Sequence, residues 1–140
     1  MATATKDVPV SLRLTQQEAD ELVSLATLRH EKAASVGARF VREGVRRARF
    51  PAIEFRDGDP ARVAYLAGTR WPVWMIVALV EELGGDLERA AERIQRPVAL
   101  VRFALAYTEA YPDEIQAARD LAARRDFEGL RRLVPNLERL

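Results

Sequence analysis

Val8-Pro9-Val10-Ser11-Leu12-Arg13-Leu14 alternates strictly, and Thr15-Gln16-Gln17-Glu18 follows it without a gap. Period two is the signature of a strand with one buried face. Val8, Val10, Leu12 and Leu14 share that face, and Pro9, Ser11 and Arg13 share the other. Thr-x-x-Glu ahead of an apolar run is a capping box, which starts a helix. A second helical pattern spans about Val36–Arg49. A lone strand leaves its backbone donors and acceptors unpaired, and a strand with two helices has too little to bury. Pairing with a second copy across a two-fold axis repairs both defects. The product is a two-stranded ribbon with Ser11 and Arg13 on its outer face, of a width that enters the DNA major groove.

Outward from the strand, helix A is expected over Gln16–His30, with Ala19, Leu22, Val23 and Ala26 on one face. Ser35 is the expected N-cap of helix B. Gly37, Phe40, Val41, Gly44, Val45 and Ala48 form the apolar face of that helix. Two glycines inside a helix are costly, which points to close approach of a neighbouring backbone. Arg39, Arg42, Arg46 and Arg49 line the opposite side, either attracting DNA or serving as a solvated face.

Pro51 ends helix B. A hairpin is expected over about residues 53–66 around Asp57-Gly58-Asp59-Pro60. From Pro72 the pattern is helical. Pro72, Pro97 and Pro112 open helices, Gly84-Gly85 closes one, and Asp86 caps the next. A separate short amphipathic stretch follows Asp126. The fold class is therefore mainly α: a ribbon-helix-helix forming an intertwined dimer, a short β-hairpin, and a helical domain of helix-turn-helix type. The expected domains are 1–50, 51–116 and a helical tail, 117–140.

With 140 residues the chain holds one or two small domains, and neither half buries much surface alone. Net charge is only +1, but residues 1–50 carry nine Lys/Arg against six Asp/Glu, and the remainder carries thirteen against fifteen. A basic front and an acidic rear suit DNA at one end and a protein partner at the other. The absence of cysteine excludes disulfides, thiolate metal sites and cysteine nucleophiles, and accords with a cytoplasmic setting. The longest apolar run, Trp71–Val80, is too short to span a bilayer, so no membrane partner is expected. MATATKDV lacks the apolar segment of a secretory signal.

No catalytic constellation is legible. There is one histidine, no phosphate loop and no Gly-x-Ser-x-Gly elbow. Adjacent acidic pairs such as Glu81-Glu82 diverge on a helix rather than converge. The chain is read as a non-enzyme without cofactor or metal.

VSLRLTQQEADEL and RFVREGVRR resemble the ribbon-helix-helix family of bacterial repressors and antitoxins over roughly residues 6–50. The resemblance implies base reading by the outward strand residues, here Pro9, Ser11 and Arg13. Pro9 departs from the pattern, because it has no N–H to donate. Ala67-Gly68-Thr69-Arg70, Pro72-Val73 and Ala106-Tyr107, within residues 51–116, resemble a bacterial domain of unknown function found mainly in antitoxins. That resemblance implies a PIN-like ribonuclease toxin as partner.

The candidate DNA contacts are thus Ser11 and Arg13 for bases, with Ser35 and Lys6 for phosphates. Ser35 serves equally as an ordinary cap. The helix VALVRFALAYTEAY is too apolar all round to read bases and is expected to be buried. The tail residues Phe127, Leu130, Leu133 and Val134, with Arg124 and Arg131, either dock on their own chain or bind the toxin. The reading is an antitoxin that represses its own operon as a homodimer or higher assembly on double-stranded operator DNA. The alternative is a free-standing regulator whose rear domain only mediates oligomerisation.

Overall fold

The computed structural model describes residues 6–58 and 61–133, except the side chains of residues 127, 130, 131 and 133. The protein is mainly helical with one short antiparallel hairpin. It divides into two compact units after Arg49.

The first unit holds α1 (Gln16–Leu28) and α2 (Ala33–Arg49). The capping box forms as expected: Glu18 N–H donates to Thr15 Oγ1 at 3.2 Å, and Thr15 N–H donates to Glu18 Oε2 at 2.8 Å. Helix α1 stops at Leu28, two residues before the expected end, and His30 takes the left-handed conformation with φ 55°. Helix α2 begins at Ala33, so Ser35 lies inside the first turn rather than at the cap. Its N–H donates to Lys32 O at 3.1 Å, which commits the backbone to the helix one turn earlier than its side-chain type suggested. No regular strand forms over residues 6–15. A strand exists only through a ladder, and no described segment of the chain supplies the second rail.

The second unit opens with β1 (Ile53–Arg56) and β2 (Val63–Leu66), the hairpin expected from the turn cluster. Ile53 opposes Leu66 and Phe55 opposes Ala64 on the core face, whereas Glu54 opposes Tyr65 and Arg56 opposes Val63 outside. On the outer face Arg56 pairs with Glu54 and lies over the Tyr65 ring, 4.3 Å from its centroid. The Ala67–Arg70 turn is held by Thr69, whose buried hydroxyl donates to Leu66 O at 2.9 Å and accepts from Trp71 N–H at 3.1 Å. Gly68, at φ 70°, supplies the left-handed step there.

Helices α3 (Val73–Glu82), α4 (Leu87–Ile94), α5 (Val98–Ala110) and α6 (Pro112–Leu133) complete the unit. Asp86 caps α4 by accepting from Arg89 N–H at 3.1 Å. Ile53, Leu66, Val73, Ile76, Val101 and Tyr107 are the largest fully buried side chains of this core. The Phe50 ring meets Phe103, Tyr107 and Tyr111 edge-on, at centroid distances of 5.3–6.0 Å. Buried Tyr107 donates its hydroxyl to Glu114 at 2.6 Å, which joins α5 to α6. Arg119 of α6 grips Glu81 of α3 with both guanidinium nitrogens, at 3.1 and 2.7 Å.

Two expectations are corrected here. Helix α6 runs unbroken through Asp126 and Gly129 to Leu133, so the boundary drawn at 116/117 falls within a helix and the stretch after Asp126 is no separate element. A lone glycine lowers helix propensity by about 1 kcal/mol, which the rest of a 22-residue helix, roughly six turns, easily outweighs. Helix α5 is not buried all round: Val101, Ala104 and Tyr107 are inside, whereas Ala99, Arg102 and Ala106 are exposed. Alanines count as apolar in a pattern but have little area to bury, so they do not compel a helix face inward.

Tyr107→Phe keeps the ring stack and removes the donor to Glu114. It is expected to destabilise the second unit by about 1–2 kcal/mol, read by denaturant unfolding. The hydrogen bond from Arg119, reinforced by its charge and opposed by partial desolvation, lowers the Glu81 pKa. Stability from this pair is therefore present at neutral pH and is lost as pH falls through the depressed Glu81 pKa. Glu81→Gln should lower the unfolding midpoint at pH 7, and the difference from the parent chain should vanish in strong acid.

Candidate functional site

The sequence-derived DNA contacts fall on two elements of the first unit. Lys6, Ser11 and Arg13 lie on the irregular segment before α1, and Ser35 lies in the first turn of α2. All four are exposed. The side chains of Ser11, Arg13 and Ser35 make no hydrogen bond or ion pair with a described residue, which leaves their donors free for an external acceptor. In the Arg stripe, Arg39 is engaged by Glu31 at 3.0 Å and Arg42 is exposed, while Arg46 and Arg49 sit beside Arg47 in the last turn of α2, where positive charge offsets the helix dipole.

The apolar side of the same segment is the more informative. Val8, Val10, Leu12 and Leu14 are 77, 76, 62 and 50% exposed. Phe40, Val41 and Val45 of α2 are also exposed. Within this unit Ala26 and Val36 are the only hydrophobic residues counted as buried among those described. A unit with so little interior cannot offset the entropy of ordering its backbone, whereas the second unit has a full core. The apolar face of α2 also extends further than the sequence pattern alone brought out. Ala34, Ala38, Val41, Val45 and Ala48 recur at steps of four and three, and all are exposed. That spacing was the signal available for finding it. A Cβ added at Gly44 meets nothing within 4 Å, so the glycine answers no close approach within the chain itself.

The concavities are open grooves. One runs along α1 beside Gln17, Asp20, Ser24 and Leu28, and another lies at the α4–α5 turn beside Glu92, Gln95, Arg96 and Val98. No group of three or more potential metal ligands occurs among the described residues. Among those residues, no helix is long and apolar enough to cross a membrane.

No family model, curated protein or solved structure matches this chain. Its site must be judged on its own geometry. Of the tail candidates, Arg124 is exposed on α6. The backbone places Phe127, Leu130, Arg131 and Leu133 on the same helix, and Val134 lies outside the described residues.

Leu12→Asp separates a free segment from a dimer core. In a single chain Leu12 is largely in water, and the substitution would be nearly neutral. If two copies bury it, an unpaired charge enters an apolar layer at a cost of several kcal/mol. The expected outcome is loss of the dimer in light scattering together with loss of helical circular dichroism from the first unit.

Proposed function

We propose that this protein is a dimeric DNA-binding regulator of the antitoxin type. Two copies pair residues 8–14 into an antiparallel ribbon, bury Val8, Val10, Leu12 and Leu14 against α1 and α2, and present Ser11 and Arg13 to base edges in the major groove. The observation that supports this most is the exposed alternating segment: four apolar residues alternate with polar ones, Ser11 and Arg13 among them, and all are exposed with no core beneath them. The exposed stripe on α2 provides the matching helix surface for the second copy. Lys6 and the start of α2, including Ser35, approach phosphates on either side of the ribbon.

The second unit carries the partner function. Its Ala67–Arg70 turn and the Pro72-Val73 helix start are the features that resemble antitoxins, and its acidic balance suits protein rather than DNA. Helix α5 supports the same assignment. Its outer side offers Ala99, Arg102, Ala106, Glu109 and Ala110, one cation and one carboxylate among methyl groups, and the carboxylate would repel DNA phosphates. On this reading the partner is a PIN-like ribonuclease, silenced in the cytoplasm while the complex sits on its own operator.

The test is binding to DNA from immediately upstream of the chain's own coding region. Arg13→Ala is expected to weaken binding by about 1–3 kcal/mol and to relax preference at one base position, with little change from Arg46→Ala. Equal affinities for the parent and an Ser11→Ala, Arg13→Ala double variant would remove the strand from the interface.

A further inference from the structure

Helix α5 turns an unused face outward. Ala99, Arg102, Ala106, Glu109 and Ala110 are exposed there, and Phe103 at the edge of that face is half-buried. Arg102 and Glu109 are the only charged residues of the helix, one of each sign. Seven residues separate them, about 10.5 Å along the axis, whereas helical neighbours that can pair are three or four apart. Neither makes an ion pair or a side-chain hydrogen bond with another described residue. Seven residues turn the helix through about 700°, close to two whole turns, so the two charges stand in line on one flank. The alanines lie along the middle, and Phe103 borders the other flank.

We propose that this face pairs with the same face of a second copy, antiparallel, about a two-fold axis between Leu105 and Ala106. Alanines alone would name no partner; the charges do. Arg102 and Glu109 lie at equal distances on either side of that axis. Arg102 of each copy therefore comes opposite Glu109 of the other, and symmetry makes the contact twice. Corresponding flanks meet in an antiparallel pair, which is what brings the charges together. In a parallel pair the charged flank would meet the Phe103 flank, and both charges would lose water without gaining a partner. No other charge lies on α5, so this register sets no like charges against each other along the helix. The methyl groups between the flanks let the two helices approach closely, and Phe103 gains cover from the second copy. Charge complementarity thus selects a second copy of this chain over a helix of arbitrary sequence. One helix face is smaller than a stand-alone protein interface, so the pairing is weak by itself. Chains already joined through the first unit would meet at a higher effective concentration. The pairing stands or falls independently of DNA binding by the first unit.

The chain has no cysteine, so an introduced thiol is the only one. Ala106→Cys places the two thiols beside the axis, where Cα atoms come within disulfide reach. Ala99→Cys lies on the same exposed face, but antiparallel pairing carries its two copies to opposite ends of the contact. In the full-length chain, mild oxidation should therefore cross-link Ala106→Cys at least about tenfold faster than Ala99→Cys. Adding Arg102→Glu to the Ala106→Cys chain should slow cross-linking, and adding Glu109→Arg to that should restore it. Equal or faster linking at residue 99, or no link at residue 106, overturns the proposal. So does failure of the charge exchange to restore the rate. A thiol at residue 106 that is shielded only by a co-expressed partner protein would assign the face to that protein, which also overturns pairing between copies. Operator binding by the same variants keeps the two readings apart. Binding kept without a link at residue 106 removes the α5 pairing and leaves the proposed function standing. A link with the predicted charge dependence but no operator binding supports the pairing and removes the DNA-binding reading.

Discussion

A backbone in extended form must place its amides on another strand or leave them to water. That requirement governs how this chain divides its resources. The second unit satisfies it internally: β1 and β2 supply each other's partners, and the resulting small sheet gives α3 a surface on which to build. Among its described residues the first unit has one segment of strand-like alternation and no second. Its apolar face therefore has nothing to close over, and α1 and α2 are left with a shared interior of a few residues. The contrast explains why a stable core and a set of exposed valines and leucines coexist in one small protein.

Inside the second unit, order is conveyed by a few specific bonds rather than by apolar area alone. Thr69 fixes the turn that brings the hairpin to α3. Tyr107 and Glu114 tie α5 to α6, and Arg119 ties α6 to α3. Each is a polar link at the margin of an apolar cluster, where its groups are partly shielded and the geometry is therefore selective. Edge-on contacts of Phe50 with three rings add direction to packing that would otherwise be non-directional.

Most of this architecture was legible from local punctuation. Thr15 with Glu18, Asp86, Pro97, Pro112 and the Gly84-Gly85 stop act over three or four residues, and the structure places helix ends beside each of them. Misreadings arose where the outcome depended on something remote or on degree. Ser35 has the chemistry of a cap, yet the backbone turned at Lys32. Gly129 is a poor helix residue, yet the helix passed through it. The Arg119–Glu81 pair joins residues 38 apart, and no spacing rule foretells such a meeting. For the candidate site the sequence indicated which side chains share a face. It did not show that the apolar face is left open by the rest of the chain, because exposure is a property of everything that fails to pack there.

Pro9 acquires a meaning from that exposure. An open run of alternating valine and leucine is the kind of surface that recruits strands indiscriminately and grows into aggregates. Proline in such a run withholds one amide from any incoming strand, and Lys6 and Arg13 add charge that repels stacked copies. A proline at this position sets a limit on how far strand pairing along the run could spread. A gatekeeper of this kind leaves the apolar run exposed while denying it the unbroken edge that indiscriminate strand addition requires.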